Sequence, residues 1–353
     1  MDHFLLIGQI FHKRKEAAYK MATKTRQILL HERPKGLPDK NTFAFKHVEI
    51  DEPAEGEALL QMIYISVDPY MRGRMDDRES YVPPFPLHKP IAGGAIAKVL
   101  KSRDDSLNEG DYVTGNLPWQ QYVNVSASDV RKVQAEAAPV SAYLSAVGMP
   151  GLTAYFGTLS IGQPKEGETF VISGGAGAVG SLAGQIAKMQ GARVVGIAGT
   201  DEKLDYMKSI GFDEVINYKT EDLTKAIKRT CPDKVDVYFD NVGGEMSDIV
   251  LDHLNKFARV VQCGAISTYN DPDNYGPRVQ FKLIKSSALM KGFIVGDYAD
   301  EFDEATKQLA AWVASGDLQY EETILTGFDR IPEAFIGLFT GRNTGKLLVD
   351  VSQ

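Results

Sequence analysis

Residues 170–180 read Phe-Val-Ile-Ser-Gly-Gly-Ala-Gly-Ala-Val-Gly, an apolar run that fits a buried strand and ends in Gly175-x-Gly177-x-x-Gly180. Ser181-Leu-Ala-Gly-Gln-Ile-Ala-Lys-Met189 then has the texture of a helix. Strand, glycine turn and helix in that order form a seat for a dinucleotide. Gly175 permits the tight turn, Gly177 lets the main chain approach a pyrophosphate, and Gly180 lets the helix pack on its strand. Ala178 and Val179 lead into the helix start, whose free amides face the phosphates. Such a glycine pattern also occurs in ordinary loops, so its surroundings decide.

Outward from the turn, β-branched runs alternate with helix-length segments. A second strand, Arg193-Val-Val-Gly-Ile-Ala198, precedes a helical stretch over 201–210. Glu214-Val-Ile-Asn-Tyr218 precedes another over 221–229, and Val235-Asp-Val-Tyr-Phe-Asp240 a third over 245–254. Ala258-Arg-Val-Val-Gln-Cys263 and Leu289-Met-Lys-Gly-Phe-Ile-Val295 complete six strands. This alternation implies a parallel sheet with right-handed crossovers. The strand order expected of two mononucleotide-binding halves is 3-2-1-4-5-6.

The rest of the chain has a different texture. From Thr25 to about Val133, strands alternate with Pro/Gly turns, the clearest being Glu57–Ser66 and Ala92–Leu100. Helical signals begin near Pro139 and recur over 152–159. After a helix over 303–315, the tail reads as strand, short helix after Pro332, and final strand Lys346-Leu-Leu-Val-Asp350. Such a tail most economically returns to the first, mostly β, domain. The expected division is therefore 21–146 with 318–353 as one domain, interrupted by 147–317 as the nucleotide domain. Residues 1–20 stand apart: the apolar run Phe4–Phe11 precedes the basic Lys13-Arg-Lys15, the wrong order for a secretory signal. They read as a disordered or non-native extension.

A chain of 353 residues with 43% hydrophobic content buries a large core. Its formal charge of −8 and lack of an extended basic run argue against nucleic acid. No stretch of about twenty apolar residues is present, so no conventional membrane span is expected. Two cysteines, Cys231 and Cys263, are too few for a disulfide framework and point to a reducing, cytoplasmic setting. They are also too few for catalytic and structural zinc sites of the alcohol dehydrogenase kind, and the six histidines show no ligand spacing. No metal is expected. At the end of the second strand, Ala198-Gly199-Thr200 lacks the carboxylate that usually binds the ribose hydroxyls of NAD, yet Asp201 and Glu202 follow at once. The residues alone leave NAD and NADP open.

Together, Asp68-Pro-Tyr-Met-Arg-Gly-Arg-Met75, Gly148-Met-Pro-Gly-Leu-Thr-Ala-Tyr155, Phe239-Asp-Asn-Val-Gly-Gly244, Cys263-Gly-Ala-Ile-Ser-Thr-Tyr-Asn270 and Gly341-Arg-Asn-Thr-Gly-Lys346 carry a resemblance. In that order they resemble the zinc-independent branch of the medium-chain dehydrogenase/reductase superfamily, and within it the NADPH-dependent alkenal/one reductases. The resemblance runs from Arg26 to the C-terminus. It implies a Rossmann-type doubly wound sheet inserted in a GroES-like, mostly β domain, with the active site between them.

The resemblance also implies a cofactor and roles. NADP(H) would bind with Lys203 and Tyr218 on its 2′-phosphate and Thr200 as an extra donor. Asn241, at the carboxyl edge of the sheet, would contact the cofactor. Cys263, Gly264, Ala265, Ile266, Ser267, Thr268 and Tyr269, with Phe293, Ile294 and Val295, would line the nicotinamide side, and Asn343 would close over from the tail. Without a Lewis acid, hydride chemistry favours an already polarised substrate, an enone or enal, whose carbonyl oxygen gains charge as hydride reaches the β-carbon. A neutral hydrogen-bond donor at that oxygen lowers the barrier, and a tyrosine is such a donor at pH 7. By resemblance the candidates are Tyr269 and Tyr70, with Tyr81 as a further substrate contact. Arg72 and Arg74 read as surface or domain-interface charges without a catalytic role. The family implies a homodimer, paired through the edge strand around 289–295. A quinone reductase of the zeta-crystallin type and a non-catalytic NADPH-binding protein are the alternatives.

Overall fold

The computed structural model describes residues 22–136, 138–271 and 275–353, so the expected extension over 1–20 lies outside the described residues. Six parallel strands form one sheet in the order Glu214–Asn217, Arg193–Ala198, Thr169–Ser173, Val235–Asp240, Leu254–Gln262, Leu289–Gly292. In chain order this is 3-2-1-4-5-6, as expected. Thr169–Ser173 is buried at every position, which a parallel sheet covered on both faces demands of its central strand. Helix Gly180–Met189 rises directly from the glycine turn. It can do so because Gly180 has no side chain: a Cβ there would stand 2.2 Å from the Gly174 carbonyl oxygen.

A second, seven-stranded sheet has the path Glu322–Thr326, Lys346–Asp350, Glu57–Ser66, Ala92–Ser102, Tyr112–Pro118, Val130–Lys132, with Tyr122–Ser126 also on Glu57–Ser66. All its pairings are antiparallel except that of the two tail strands. The tail thus lies inside the sheet that the early strands build. Thr23–Leu30 and Phe43–Ile50 pair separately as a two-stranded ribbon. Among the described residues no helix is long and apolar enough to cross a membrane.

Several boundaries differ from expectation. The helix expected over 221–229 runs Leu223–Thr230, because the Asp222 side chain caps it by accepting the Lys225 amide at 3.0 Å. The one expected over 245–254 ends at Leu251, and the strand after it begins at Leu254 rather than Ala258. Helix Gln280–Ser286 was not expected. The sixth strand stops at Gly292, since Val295 already opens a 3-10 turn, so Phe293, Ile294 and Val295 are not strand residues.

Two buried cations tie the chain together. Arg72 is 3% exposed and belongs to the short helix Met71–Arg74. Its Nε donates to Asn270 Oδ1 at 2.9 Å and to Gly36 O at 3.1 Å, and its Nη1 to Asp76 Oδ1 at 2.7 Å. It is no surface charge, and it links the early part of the chain to the loop after the fifth parallel strand. Lys346, at the head of a tail strand, is equally buried and donates from Nζ to Val67 O at 2.8 Å and Asp68 Oδ1 at 3.0 Å. One residue earlier, the Gly345 amide donates to Ala176 O in the glycine turn at 2.8 Å. Removing one member of a buried ion pair strands the other without a partner. Lys346→Met is therefore expected to cost about 3–5 kcal/mol of stability, read from the urea midpoint. Adding Asp68→Asn should recover much of that loss.

Candidate active site

At the end of the second strand the helix Asp201–Ser209 begins, capped by the Thr200 hydroxyl, which accepts the Lys203 amide. The two nearby acids are engaged. Asp201 Oδ1 accepts from Asn217 Nδ2 at 2.9 Å, and Glu202 is held below the usual carboxylate range by its own backbone amide and then by the Thr200 hydroxyl. The Lys203 ammonium is half-buried and donates to Gly341 O at 2.9 Å. Burial, and secondarily the like charge of Lys219, lower its pKa. Tyr218 and Lys219 crowd the same corner: a Cβ on Gly199 would meet Tyr218 Cε1 at 2.8 Å and Lys219 Cε at 3.0 Å. Among the described residues neither lysine has a carboxylate within ion-pair distance. Two adjacent unneutralised cations beside a tyrosine fit a phosphate dianion. Lys219 escaped the sequence reading, although it follows Tyr218 directly. Beside Tyr218 lies an open depression of about 390 Å³ whose lining is mixed, with Leu223, Met246 and Ile249 alongside the acids Glu221, Asp222 and Glu245.

The glycine turn is covered by the tail. Gly177 bridges Gly345 in parallel fashion, and Asn343 Nδ2 donates to Gly345 O at 2.7 Å. Gly345 takes a positive φ of 63°, and a Cβ there would sit 1.9 Å from Glu321 O, so no larger residue fits between the two tail segments. Asn241 lies just past the fourth strand and is fixed from Ser173: its backbone amide donates to the Ser173 hydroxyl oxygen at 2.9 Å and its Nδ2 donates to Ser173 O at 2.8 Å.

Behind these groups Asp240 is fully buried, with Oδ1 accepting from Ser173 Oγ, Tyr238 OH and the amides of Val242 and Gly243 at 2.9–3.0 Å. Its carbonyl oxygen accepts the amides of Cys263 and Gly264. Asp240 therefore shapes both loops at this end of the sheet, one through its carboxylate and the other through its backbone carbonyl. Nothing in its sequence position distinguishes it from a strand-end turn residue.

The loop that follows carries Tyr269, whose hydroxyl oxygen accepts the Ala265 amide at 3.1 Å. Its phenol pKa is raised, chiefly by burial, with the Ala265 amide pulling it down and Tyr81, Cys263 and Asp240 adding to the rise. Tyr70 is pushed further up by burial and by Asp68, against the opposing charge of Arg74. Tyr81 is 59% exposed and feels both Arg74 and Cys263. Tyr70 and Tyr81 come from the early part of the chain and Tyr269 from the parallel-sheet part, and Tyr81 acts electrostatically on each of the other two. All three are neutral phenols at pH 7. Phe293 packs against Tyr298, and Ile294 is partly exposed beyond the edge strand. Cys263 is only partly buried by surface, yet its thiol is pushed up to about 12 by desolvation and by Asp240. Among the described residues no group of three or more His, Cys, Asp or Glu side chains could hold a metal ion.

A doubly wound sheet with a phosphate-type glycine turn, joined to a strand-rich domain that brings tyrosines to the sheet's carboxyl end, defines a two-domain oxidoreductase of the nicotinamide-dependent class. Residues 26–133 match the family model described as the N-terminal domain of oxidoreductase, and residues 178–312 the one described as zinc-binding dehydrogenase. YfmJ of Bacillus subtilis (strain 168), named as an NADP-dependent oxidoreductase, is 58% identical over 94% of this chain and 99% of its own. The 2-alkenal reductase (NADP(+)-dependent) of Nicotiana tabacum is 41% identical over 93% of this chain and 98% of its own. The crystal structure of CurA in complex with NADPH from Vibrio vulnificus superposes with a TM-score of 0.89 at 40% identity, covering 93% of this chain and 99% of that one. The chain belongs to the medium-chain dehydrogenase/reductase family of NADP-dependent oxidoreductases.

Both cysteines carry raised thiol pKa values, Cys231 by burial first. Since the thiolate is the reacting species, iodoacetamide at pH 8 is expected to label the native protein at least about tenfold more slowly than the unfolded chain. Equal rates, measured by mass spectrometry, would contradict this environment.

Proposed function

We propose that this enzyme uses NADPH to reduce the carbon–carbon double bond of α,β-unsaturated ketones and aldehydes, leaving the carbonyl intact. The observation that carries the reading is the neutral Tyr269 phenol, whose oxygen is occupied by the Ala265 amide so that its own hydrogen is free to donate. The named activity of the tobacco relative supports the same chemistry.

The residues present fit NADPH. Lys203, Tyr218 and Lys219 hold the 2′-phosphate; Gly175, Gly177, Ala178, Val179 and Gly180 take the pyrophosphate against the helix start. Thr200, by capping the helix, sets the position of Lys203. The apolar part of that depression, Leu223, Met246 and Ile249, suits the adenine ring. Asn241, the loop from Cys263 through Gly264, Ala265, Ile266, Ser267 and Thr268 to Tyr269, and Phe293, Ile294, Val295 and Asn343 form the nicotinamide end. When bound, the cofactor supplies hydride to the substrate's β-carbon. Tyr269 and Tyr70 donate to the carbonyl oxygen as negative charge gathers there, and Tyr81 borders the substrate from the exposed side. Because both phenols stay protonated well above neutral pH, their donation persists throughout the working range. No metal takes part in this scheme.

The proposed domain division is 21–146 with 318–353 around 147–317. We also infer a homodimer in the cytoplasm, formed by continuing the parallel sheet across its open edge at Leu289–Gly292. Leu289 stands exposed on that edge strand, and Phe281 and Ile284 on the helix that precedes it in the chain.

With NADPH and an enone, NMR should find the saturated ketone; an allylic alcohol would overturn the regiochemistry. Tyr269→Phe is expected to lower kcat about 100-fold while NADPH affinity stays within about twofold. Lys203→Gln should weaken NADPH binding about 10- to 100-fold and leave NADH binding unchanged, checked by calorimetry. Light scattering should report a dimer that Leu289→Lys converts to monomer.

A further inference from the structure

Lys203 is the third residue of the helix Asp201–Ser209, where the partial positive charge of the free amides disfavours a cation. Its ammonium reaches away from that end and donates to Gly341 O at 2.9 Å, in the stretch of chain between the tail strands Glu322–Thr326 and Lys346–Asp350. That carbonyl stands where it does for a local reason. Helix Ile331–Leu338 finishes with the Gly341 amide on Leu338 O and the Arg342 amide on Gly337 O, both at 3.3 Å. This is the pair of bonds by which a left-handed residue closes a helix. Gly341 supplies the left-handed turn, with a φ of 68°. Its own oxygen then lies past the last helical turn, at the negative end of the helix, where a cation is stabilised.

The segment that carries this carbonyl is itself fixed. Four residues on, the Gly345 amide donates to Ala176 O in the glycine turn at 2.8 Å. On the helix that rises from that turn, Gln185 exchanges two hydrogen bonds of 2.8 Å with the backbone of Gln319. Of these three ties between the tail and the parallel-sheet part, only the one at Lys203 uses a charged group. The neighbouring Arg342 is engaged elsewhere, its guanidinium 3.8 Å from Glu333. An ammonium has three protons, so one held by Gly341 leaves two for an anion. We propose that Gly341 is a specificity-determining positioning residue: its carbonyl, aimed by the left-handed helix end, holds the Lys203 ammonium at the 2′-phosphate of NADPH and thereby separates NADPH from NADH. The inference rests on the assignment of the 2′-phosphate to Lys203. No side chain does the holding, so the property belongs to the backbone conformation of one residue.

The test compares substitutions at this exposed position. A Cβ on Gly341 would meet Lys203 Nζ at 3.5 Å, an ordinary contact, so the variants differ chiefly in the backbone they tolerate. Asparagine accepts the left-handed conformation and keeps the helix end, whereas valine, branched at Cβ, does not. Calorimetry on the whole chain reads NADPH and NADH separately. Gly341→Val should weaken NADPH binding about tenfold and leave NADH within about twofold, Gly341→Asn should leave both within about twofold, and Gly341→Ala should fall between. In a Lys203→Gln background, Gly341→Val should cause no further loss of NADPH affinity. Equal losses for the two cofactors, a loss as large with Gly341→Asn, or an undiminished loss in the Lys203→Gln background would each overturn the proposal. If Lys203→Gln itself leaves the preference for NADPH intact, the phosphate assignment falls and the proposal with it. If Lys203→Gln abolishes that preference and Gly341→Val does not move it, the assignment stands and the proposal alone fails.

Discussion

The buried ammonium of Lys346 is where three distant parts of the chain meet. It binds the backbone and carboxylate of the Val67–Asp68 turn, it heads the strand that fills the gap between Glu57–Ser66 and Glu322–Thr326, and its neighbour Gly345 donates to the glycine turn of the parallel sheet. A charge so deeply buried is tolerated only because every proton finds an oxygen, the third being Leu347 O at 3.2 Å. That requirement fixes the geometry more narrowly than apolar packing would, since a shift of one residue in the tail strand would leave a cation and a carboxylate apart. Tyr70 and the phosphate-type turn are both within a few residues of this point, so the two halves of the candidate site share one anchor.

Around that anchor the electrostatics divide into two regions of opposite design. At the end of the second strand, Lys203 and Lys219 stand close together with the neighbouring acids turned to other partners, a corner that destabilises itself until an anion arrives. At the far end of the same sheet edge, burial keeps the phenols of Tyr70 and Tyr269 and the thiol of Cys263 in their neutral forms. The first region attracts charge already present on a ligand. The second is suited to charge that exists only while a reaction is under way.

The parts of this arrangement that depend on nearby residues can be read from the sequence. The Gly175–Gly180 turn, the six parallel strands and their order all follow from local alternation of β-branched runs and helical segments. The tyrosines are different: fifteen are present, and Tyr269, Tyr70 and Tyr81 stand out by family resemblance rather than by any local pattern. Long-range polar pairings leave no local trace at all. Arg72 and Asn270 are 198 residues apart and Lys346 and Asp68 are 278 apart, so neither bond is visible in any window of sequence. Helix Gln280–Ser286 was hidden for another reason: Phe281 and Ile284 are exposed, so its apolar residues do not mark a buried face.

The placement of Lys346–Asp350 inside the seven-stranded sheet has a consequence for how the protein is made. Its partner strand Glu57–Ser66 leaves the ribosome long before it, and the pairing sets Leu348 opposite Ser66 and Asp350 opposite Tyr64. The six-stranded sheet, by contrast, is complete in sequence once Gly292 has emerged. The inserted sheet can therefore assemble before the early strands are complete, and their sheet keeps an open slot, exposed to chaperones or to mispairing, until translation delivers the strand that fills it.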